Sequence, residues 1–196
     1  LLDSIKVSTL DARLTQAFND EWYLLMSLLA EYTAGTQLHA SYEGRVEYYR
    51  QLILASPYKD TYAYVRAEMT ELSERGHTEK AIGILENYLK RWRRTNHEYA
   101  MVCFDLAELY GKLGNSTKRL YYLVQSAISD VYSSSKENNS LRLLADELFD
   151  QGDVERAYNY MNVSIEDANF YGTRLRNIQN AHILPRIFSA YIVQQR

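Results

Sequence analysis

The chain has 196 residues, a formal net charge of −3 and 24% charged side chains. That length can bury a substantial core, and the near-neutral balance gives no global electrostatic reason to bind nucleic acid or an anionic membrane. Two prolines and eight glycines are too few for a fold built on many tight hairpin turns, and the lone cysteine, Cys103, excludes an internal disulfide or a thiolate zinc cluster.

In chain order, Leu2, Ile5, Leu10, Leu14 and Phe18 share one side of a helix, so residues 1–20 read as a lead-in helix. The longest apolar run, "WYLLMSLLA" at 22–30, is about half the ~18 residues that a membrane-spanning helix requires. Four helical hairpins follow, near 22–56, 61–95, 98–133 and 138–170. The first is the loosest, because "AGTQLHASYEG" offers no clean turn; Pro57 marks its end. Residues 171–196 read as a terminal helix over the fourth hairpin, bent or broken at Pro185.

The hairpins are read from an echo. Gly76, Gly114 and Gly152 recur every 38 residues, each closing one apolar-periodic stretch just before another. Such glycines suit the left-handed position that terminates a helix. Asn115 and Asp153, with Thr78 after Gly76, then offer oxygens to cap the next helix. Before Gly114, Val102, Leu106, Leu109 and Leu113 recur at helical spacing; before Gly152, Leu141, Leu144, Ala145 and Leu148 do the same. Small residues fall where paired helices must approach closely: Ala30, Ala107 and Ala145 in first helices, Ala81 and Ala157 in second helices. This layout resembles the tetratricopeptide repeat (TPR), whose period is roughly 34 residues. Met69 and Arg119 depart from it by standing at expected small positions. The expected fold is all-α: one right-handed α-solenoid of TPR-like hairpins over residues 1–196, with flanking helices.

Chemistry is scarce. The four histidines are scattered, with no pair at metal-binding spacing, and no G-x-S-x-G, HExxH or phosphate-cradling glycine loop occurs. Cys103 lies on a predicted packing face, where cysteine behaves as a small hydrophobe. No enzyme, cofactor or metal is expected. The densest charge run, "LKRWRRT" at 89–95, reads as cations closing a helix against its dipole rather than as a phosphate clamp beside Trp92. Tyrosine is overused, at 18 residues, and Tyr48, Tyr49, Tyr121 and Tyr122 read as packing residues of second helices. In a solenoid of this kind the first helices line a concave surface. Tyr62 and Tyr64 begin a first helix and are groove candidates; repeat phase places Arg66, Thr70 and Ser73 on the same surface, then Phe104, Glu108 and Lys112, then Arg142, Asp146 and Phe149. Mixed charge with an occasional ring suits a peptide segment.

The C-terminal half carries a second resemblance. The phrases "SAISD", "KEN", "RAY", "EDANFY" and "ILP" are similar to a Bacteroides-type family of TPR-containing regulators. The likeness covers residues 20–192, is most specific from 121 to 186, and departs at "FYGTR", where the family leads one to expect Asn in place of Gly172. The resemblance implies an extracytoplasmic, periplasmic repeat region on an inner-membrane anchor beyond Arg196, then a cytoplasmic coiled segment and, in many members, a DNA-binding module. The resemblance supplies no settled ligand and no catalytic residues; the repeat scaffold and its mixed-charge face point to a protein or peptide partner, with no nucleic acid bound by this part and no membrane insertion of it. Physically, Ser126 and Asp130 share a helical face, Lys136 and Glu137 open the next helix, and Ser164, Asp167 and Asn169 follow, so polar groups recur where hairpins meet. A buried network there would fix the stacking angle; a ligand pocket between the last two hairpins is the competing reading. Two other functions compete with a sensor: a cytoplasmic TPR scaffold or co-chaperone, and a glycan-binding helical-repeat protein using the tyrosines.

Overall fold

The computed structural model describes residues 10–135, 139–170 and 172–196. Among the described residues there are nine helices and no strand: α1 (Ala12–Tyr32), α2 (His39–Leu54), α3 (Tyr62–Glu74), α4 (Thr78–Leu89), α5 (His97–Lys112), α6 (Ser116–Tyr132), α7 (Asn139–Asp150), α8 (Val154–Phe170) and α9 (Arg174–Gln194). Within residues 1–77, α2 packs on α1 and α3; within residues 78–196, each helix from α4 to α9 packs on its neighbours in sequence, and α9 also touches α7. The fold is an all-α solenoid of TPR-like hairpins. Its contacts divide into two compact units, residues 1–77 and 78–196, where the sequence pattern reads as one continuous array.

The joints are built from one local device. Gly76, Gly114 and Gly152 all take positive φ, at 80°, 70° and 84°. The following amides of His77, Asn115 and Asp153 each bond a carbonyl five residues back, at 2.8, 2.9 and 2.9 Å. This is the six-to-one closure of a helix that needs a left-handed residue at its end. Asn115 Oδ1 then accepts from the Lys118 amide at 3.0 Å, and Asp153 Oδ1 from the Arg156 amide at 3.1 Å, capping α6 and α8. Thr78 is itself the first residue of α4. Gly114→Ala is expected to cost about 1 kcal/mol, because a Cβ is strained at its φ of +70°. Gly83, inside α4 with open space around a built Cβ, is the contrast: Gly83→Ala should add about 0.5–1 kcal/mol through helix propensity. Opposite shifts of Tm in the two variants are the check.

Unit 1 holds α1, α2 and α3. Its core is Tyr23, Ile53, Tyr64 and Ala67, with Val46, Tyr49 and Leu54 packed around them. The lead-in segment and the first rod of the first hairpin are one helix: α1 runs unbroken from Ala12 to Tyr32, capped by Asp11, whose carboxylate accepts from the Leu14 amide at 2.8 Å. Leu2 and Ile5 lie outside the described residues. The segment expected to lack a clean turn has one, centred on Gly35 at φ 79° with Thr33 and Thr36 hydroxyls bonded to nearby carbonyls. Arg50 is buried and bridges α2 to α3 through Glu47 and Glu74, the latter at 2.6 Å.

Asp20 is the discordant group of this unit. Its Oδ1 is buried without a hydrogen-bond partner, and burial, reinforced by neighbouring Glu21, pushes its pKa from 3.8 to about 6. The folded state therefore holds a proton that the unfolded chain releases, so stability falls as pH rises from about 4 to about 6 and stays reduced above. Discounted for partial exposure, the penalty is on the order of 1 kcal/mol. Asp20→Asn should raise Tm by about 2–4 °C at pH 7, with the gain vanishing at pH 4. An equal gain at both pH values would contradict the assignment.

Unit 2 holds α4 to α9. Val102, Cys103, Leu106, Ala107 and Leu123 are wholly buried in the α5–α6 hairpin. Leu144, Ala145, Leu148, Ala157, Met161 and Ile187 form the core shared by α7, α8 and α9. The alanines expected at close approaches, Ala81, Ala107, Ala145 and Ala157, all have 0% exposure. Pro185 does not break the terminal helix; α9 continues through it to Gln194. The missing N–H leaves one carbonyl of the preceding turn without its helical donor, at an exposed position.

Candidate partner-binding faces

The predicted face residues divide between the units. In unit 1, Tyr62, Arg66, Thr70 and Ser73 on α3 are all half-buried, whereas Tyr64 is not a groove residue but is buried in the core beside Tyr23 and Ile53; the Thr70 hydroxyl lies 3.9 Å from Met69 Sδ. In unit 2, α5 carries half-buried Phe104 with exposed Glu108 and Lys112, while α7 carries half-buried Arg142, Asp146 and Phe149.

Glu108 and Lys112 line an open cavity of about 390 Å³ with Gly111, Gly114, Ser116 and Arg119. Arg119 stands at a position where the repeat pattern expects a small side chain. The structure supplies the missing space from the other helix: a Cβ built on Gly111 would lie 3.0 Å from Arg119 Cδ. The Arg119 guanidinium then reaches α7 and pairs with Glu147. The cavity floor is thus an Arg crossing a glycine, framed by one acid and one further cation.

On α7, Arg142 bonds Asn139 Oδ1 through Nε and a terminal nitrogen at 3.0 and 2.8 Å. Asp146 and Phe149 face α9: Arg186 lies 3.8 Å from Asp146 Oδ1, 3.4 Å from Asp150 Oδ1, and over the Phe149 ring at 5.2 Å. Phe149 also packs against the α7–α9 core. Both residues are therefore engaged within the chain.

The tyrosines fall into two roles. Tyr49 stacks on Trp22 at 5.7 Å, and Tyr122 on Tyr110 at 5.5 Å, both within 6° of parallel. Their neighbours Tyr48 and Tyr121 meet them edge-on and remain exposed, at 60% and 53%. Packing accounts for the first pair and only partly for the second. Tyr110 and Tyr122 hydroxyls donate to Glu86 Oε1 at 2.8 and 3.2 Å, while Lys118 donates to the Tyr110 oxygen at 2.8 Å. Burial, then the Glu86 charge, holds Tyr122 well above its ordinary pKa.

The polar phrases of the C-terminal half form a network at the junction of α5, α6 and α7. The Ser126 hydroxyl donates to the Ala100 carbonyl at 2.8 Å and lies 3.1 Å from the Ser140 hydroxyl, which donates to Asp130 Oδ2 at 3.1 Å. His97 Nδ1 lies 3.5 Å from Asp130 Oδ1, and the Ser129 hydroxyl donates to the Arg94 carbonyl at 2.7 Å. Ser126, Asp130 and Ser140 are 2%, 3% and 1% exposed, so the structural reading of this network is the one realised. Lys136 and Glu137 fall outside the described residues. Ser164 meets Asn180 of α9 at 3.4 Å; Ser140, Ser129 and Asn180 are members that the sequence pattern had not singled out.

Other candidate groups resolve simply. Cys103 is fully buried, and burial pushes its thiol up to about 12, leaving little thiolate at neutral pH. The cations of "LKRWRRT" lie beyond the end of α4 at Leu89, not in its last turn; Arg91 covers the Tyr88 ring at 5.0 Å and Lys90 donates to Asn87 at 2.9 Å. Among the described residues no group of three or more His, Cys, Asp or Glu could hold a metal ion, and no helix is long and apolar enough to cross a membrane.

A putative kinesin light chain from Podosopora anserina with nearly identical TPR-like repeats is similar in structure over 91% of this chain and 98% of its own, at 13% identity and a TM-score of 0.47. No curated protein matches the sequence. The family model described as the SusR N-terminal TPR domain matches residues 1–182. With capped helical hairpins and glycine joints underlying that match, the chain belongs to the SusR N-terminal TPR domain family, a Bacteroides regulator family whose scaffold is of a kind that typically binds partners rather than catalyses reactions.

Proposed function

We propose that the chain is the extracytoplasmic sensing domain of a membrane-anchored regulator, and that it recognises a peptide or protein segment through the first helix of its hairpins. The family match carries the regulatory setting. The α5 face carries the recognition: exposed Glu108 and Lys112 flank an open cavity beside half-buried Phe104, which offers both charges and a ring to an extended chain. Helical repeats suit such a role because small changes at each interface add along the array.

Two measurements test it. In intact cells, the domain should be cleaved by external protease only after the outer membrane is permeabilised; protection until lysis would instead support the cytoplasmic scaffold. In vitro, Glu108→Lys with Lys112→Glu should abolish binding of the periplasmic peptide that the wild type selects from a library. A charge swap without effect on affinity would place recognition elsewhere. Glycan recognition is the second reading, favoured by the exposed Tyr121 ring held edge-on against Tyr122. Oligosaccharide binding that disappears in Tyr121→Ala would promote it over the first.

A further inference from the structure

The contact between α9 and α7 joins two features that have so far stood apart. Asp146 and Phe149 belong to the face expected to meet a partner, yet a side chain of the terminal helix already occupies them. Arg186 places its guanidinium over the Phe149 ring at 5.2 Å, with Asp150 at 3.4 Å and Asp146 at 3.8 Å. An aromatic face with carboxylates at its edge is a receptor for a guanidinium group.

The occupancy is loose. Both ion-pair distances exceed those of a strong charge-assisted bond, and the Arg186 side chain is 58% exposed. Asp146 Oδ1 is buried and has no hydrogen-bond donor although a cation lies nearby. A contact of this kind is worth little on its own and exchanges readily. Its position within α9 amplifies its effect. Pro185, immediately before Arg186, removes a backbone hydrogen bond from the helix at that point. Beyond it, α9 is held to α8 by Tyr191 stacked on Tyr158 at 4.1 Å, and Ile187 is fully buried. The α8 seam is apolar and firm; on the α7 side Ile187 is buried in the shared core, and only the Arg186 contact at its edge is polar and exchangeable.

We propose that Arg186 is a built-in stand-in for a cationic side chain of a partner: it fills the Asp146–Phe149–Asp150 receptor of α7 in the free chain, and a basic peptide segment that enters the receptor displaces it and loosens the post-proline half of α9 from α7. This rests on the reading that the hairpin faces meet a peptide partner, and it adds the charge of that partner and the element that moves. Entry of the ligand then has a mechanical output, because the displaced residue belongs to a different helix, α9, from the receptor on α7.

The experiment uses the intact chain with a tetra-arginine peptide as probe and a tetra-glutamate peptide as control. Arg186 is surface-exposed, so Arg186→Ala should fold normally by circular dichroism. By calorimetric titration at low salt, Arg186→Ala should bind tetra-arginine about fivefold or more tightly than the wild type, since the internal competitor is gone. Adding Asp146→Asn to that variant should remove the gain. Hydrogen exchange of amides 186–194 should quicken in Arg186→Ala without ligand, and in the wild type only when tetra-arginine is present. Equal affinities in wild type and Arg186→Ala, a gain that survives Asp146→Asn, or unchanged exchange would overturn the latch. Loss of binding in the Glu108/Lys112 charge swap reads the α5 face alone, so the two proposals fail separately.

Discussion

Asp130→Ala should lower the unfolding free energy of unit 2 by about 3 kcal/mol. The carboxylate is 5% exposed and is met from two other helices: Ser140 of α7 at 3.1 Å and His97 at the start of α5 at 3.5 Å. Alanine removes a carboxylate that links α6 to α5 and α7 and leaves a small cavity where three helices meet. Breaking a buried, charged hydrogen-bond network costs more than the net worth of its bonds, and the cavity adds to it. Asp130→Asn keeps the shape and a carbonyl oxygen, so it should cost about half as much. Urea unfolding followed by circular dichroism measures both. A loss below about 0.5 kcal/mol for alanine would show that the network is ornamental to stability.

Leu106→Ala should cost about 2–5 kcal/mol, because Leu106 has 0% exposure in the α5–α6 hairpin and its removal leaves a void that rigid neighbours cannot fill. Leu106→Met should stay below about 1.5 kcal/mol, since volume is nearly kept. Leu113 is the informative control. It shares the same helical stripe in sequence, yet it is 46% exposed at the C-cap of α5. Leu113→Ala should therefore change stability by no more than about 0.5 kcal/mol. Similar losses in Leu106→Ala and Leu113→Ala would mean that the stripe, not burial, sets the cost.

Leu106 and Leu113 also mark how far the sequence could be read. Periodicity identifies a helix face but not where the helix ends relative to its partner, and about two turns separate a fully buried leucine from a half-exposed one. The glycine joints were legible because Gly76, Gly114 and Gly152 announce left-handed backbone. The joint after α6 was not marked in this way: Ser134 takes φ 55°, and Ser135 makes the same closing bond to the Asp130 carbonyl at 2.9 Å. A non-glycine residue in that conformation gives no composition signal. Likewise residues 1–20 and the first rod of the hairpin at 22–56 read as separate elements, whereas α1 runs unbroken from Ala12 to Tyr32 behind its cap Asp11.

The candidate faces were legible in part. Counting by repeat phase put Glu108 and Lys112 on one helix face, and both line the cavity beside Arg119. It also put Asp146 and Phe149 on a common face, but could not show that Arg186, 36 or more residues away in sequence, lies across them. Contacts between elements far apart in the chain leave no periodic trace. The buried network was half visible: Ser126 and Asp130 share a face by spacing alone, whereas Ser140 joins them only through the docking of α7.

Gly111 and Arg119 have a consequence for anyone who would rebuild this protein from a repeat consensus. An alanine written at 119 would leave Glu147 without its cation and a hollow above Gly111; a bulky residue written at 111 would strike the arginine that crosses it. Each looks like an error against the template, and each is right only while the other is present. The two positions form a single letter of the code, spelled across a turn, and must be edited together or not at all.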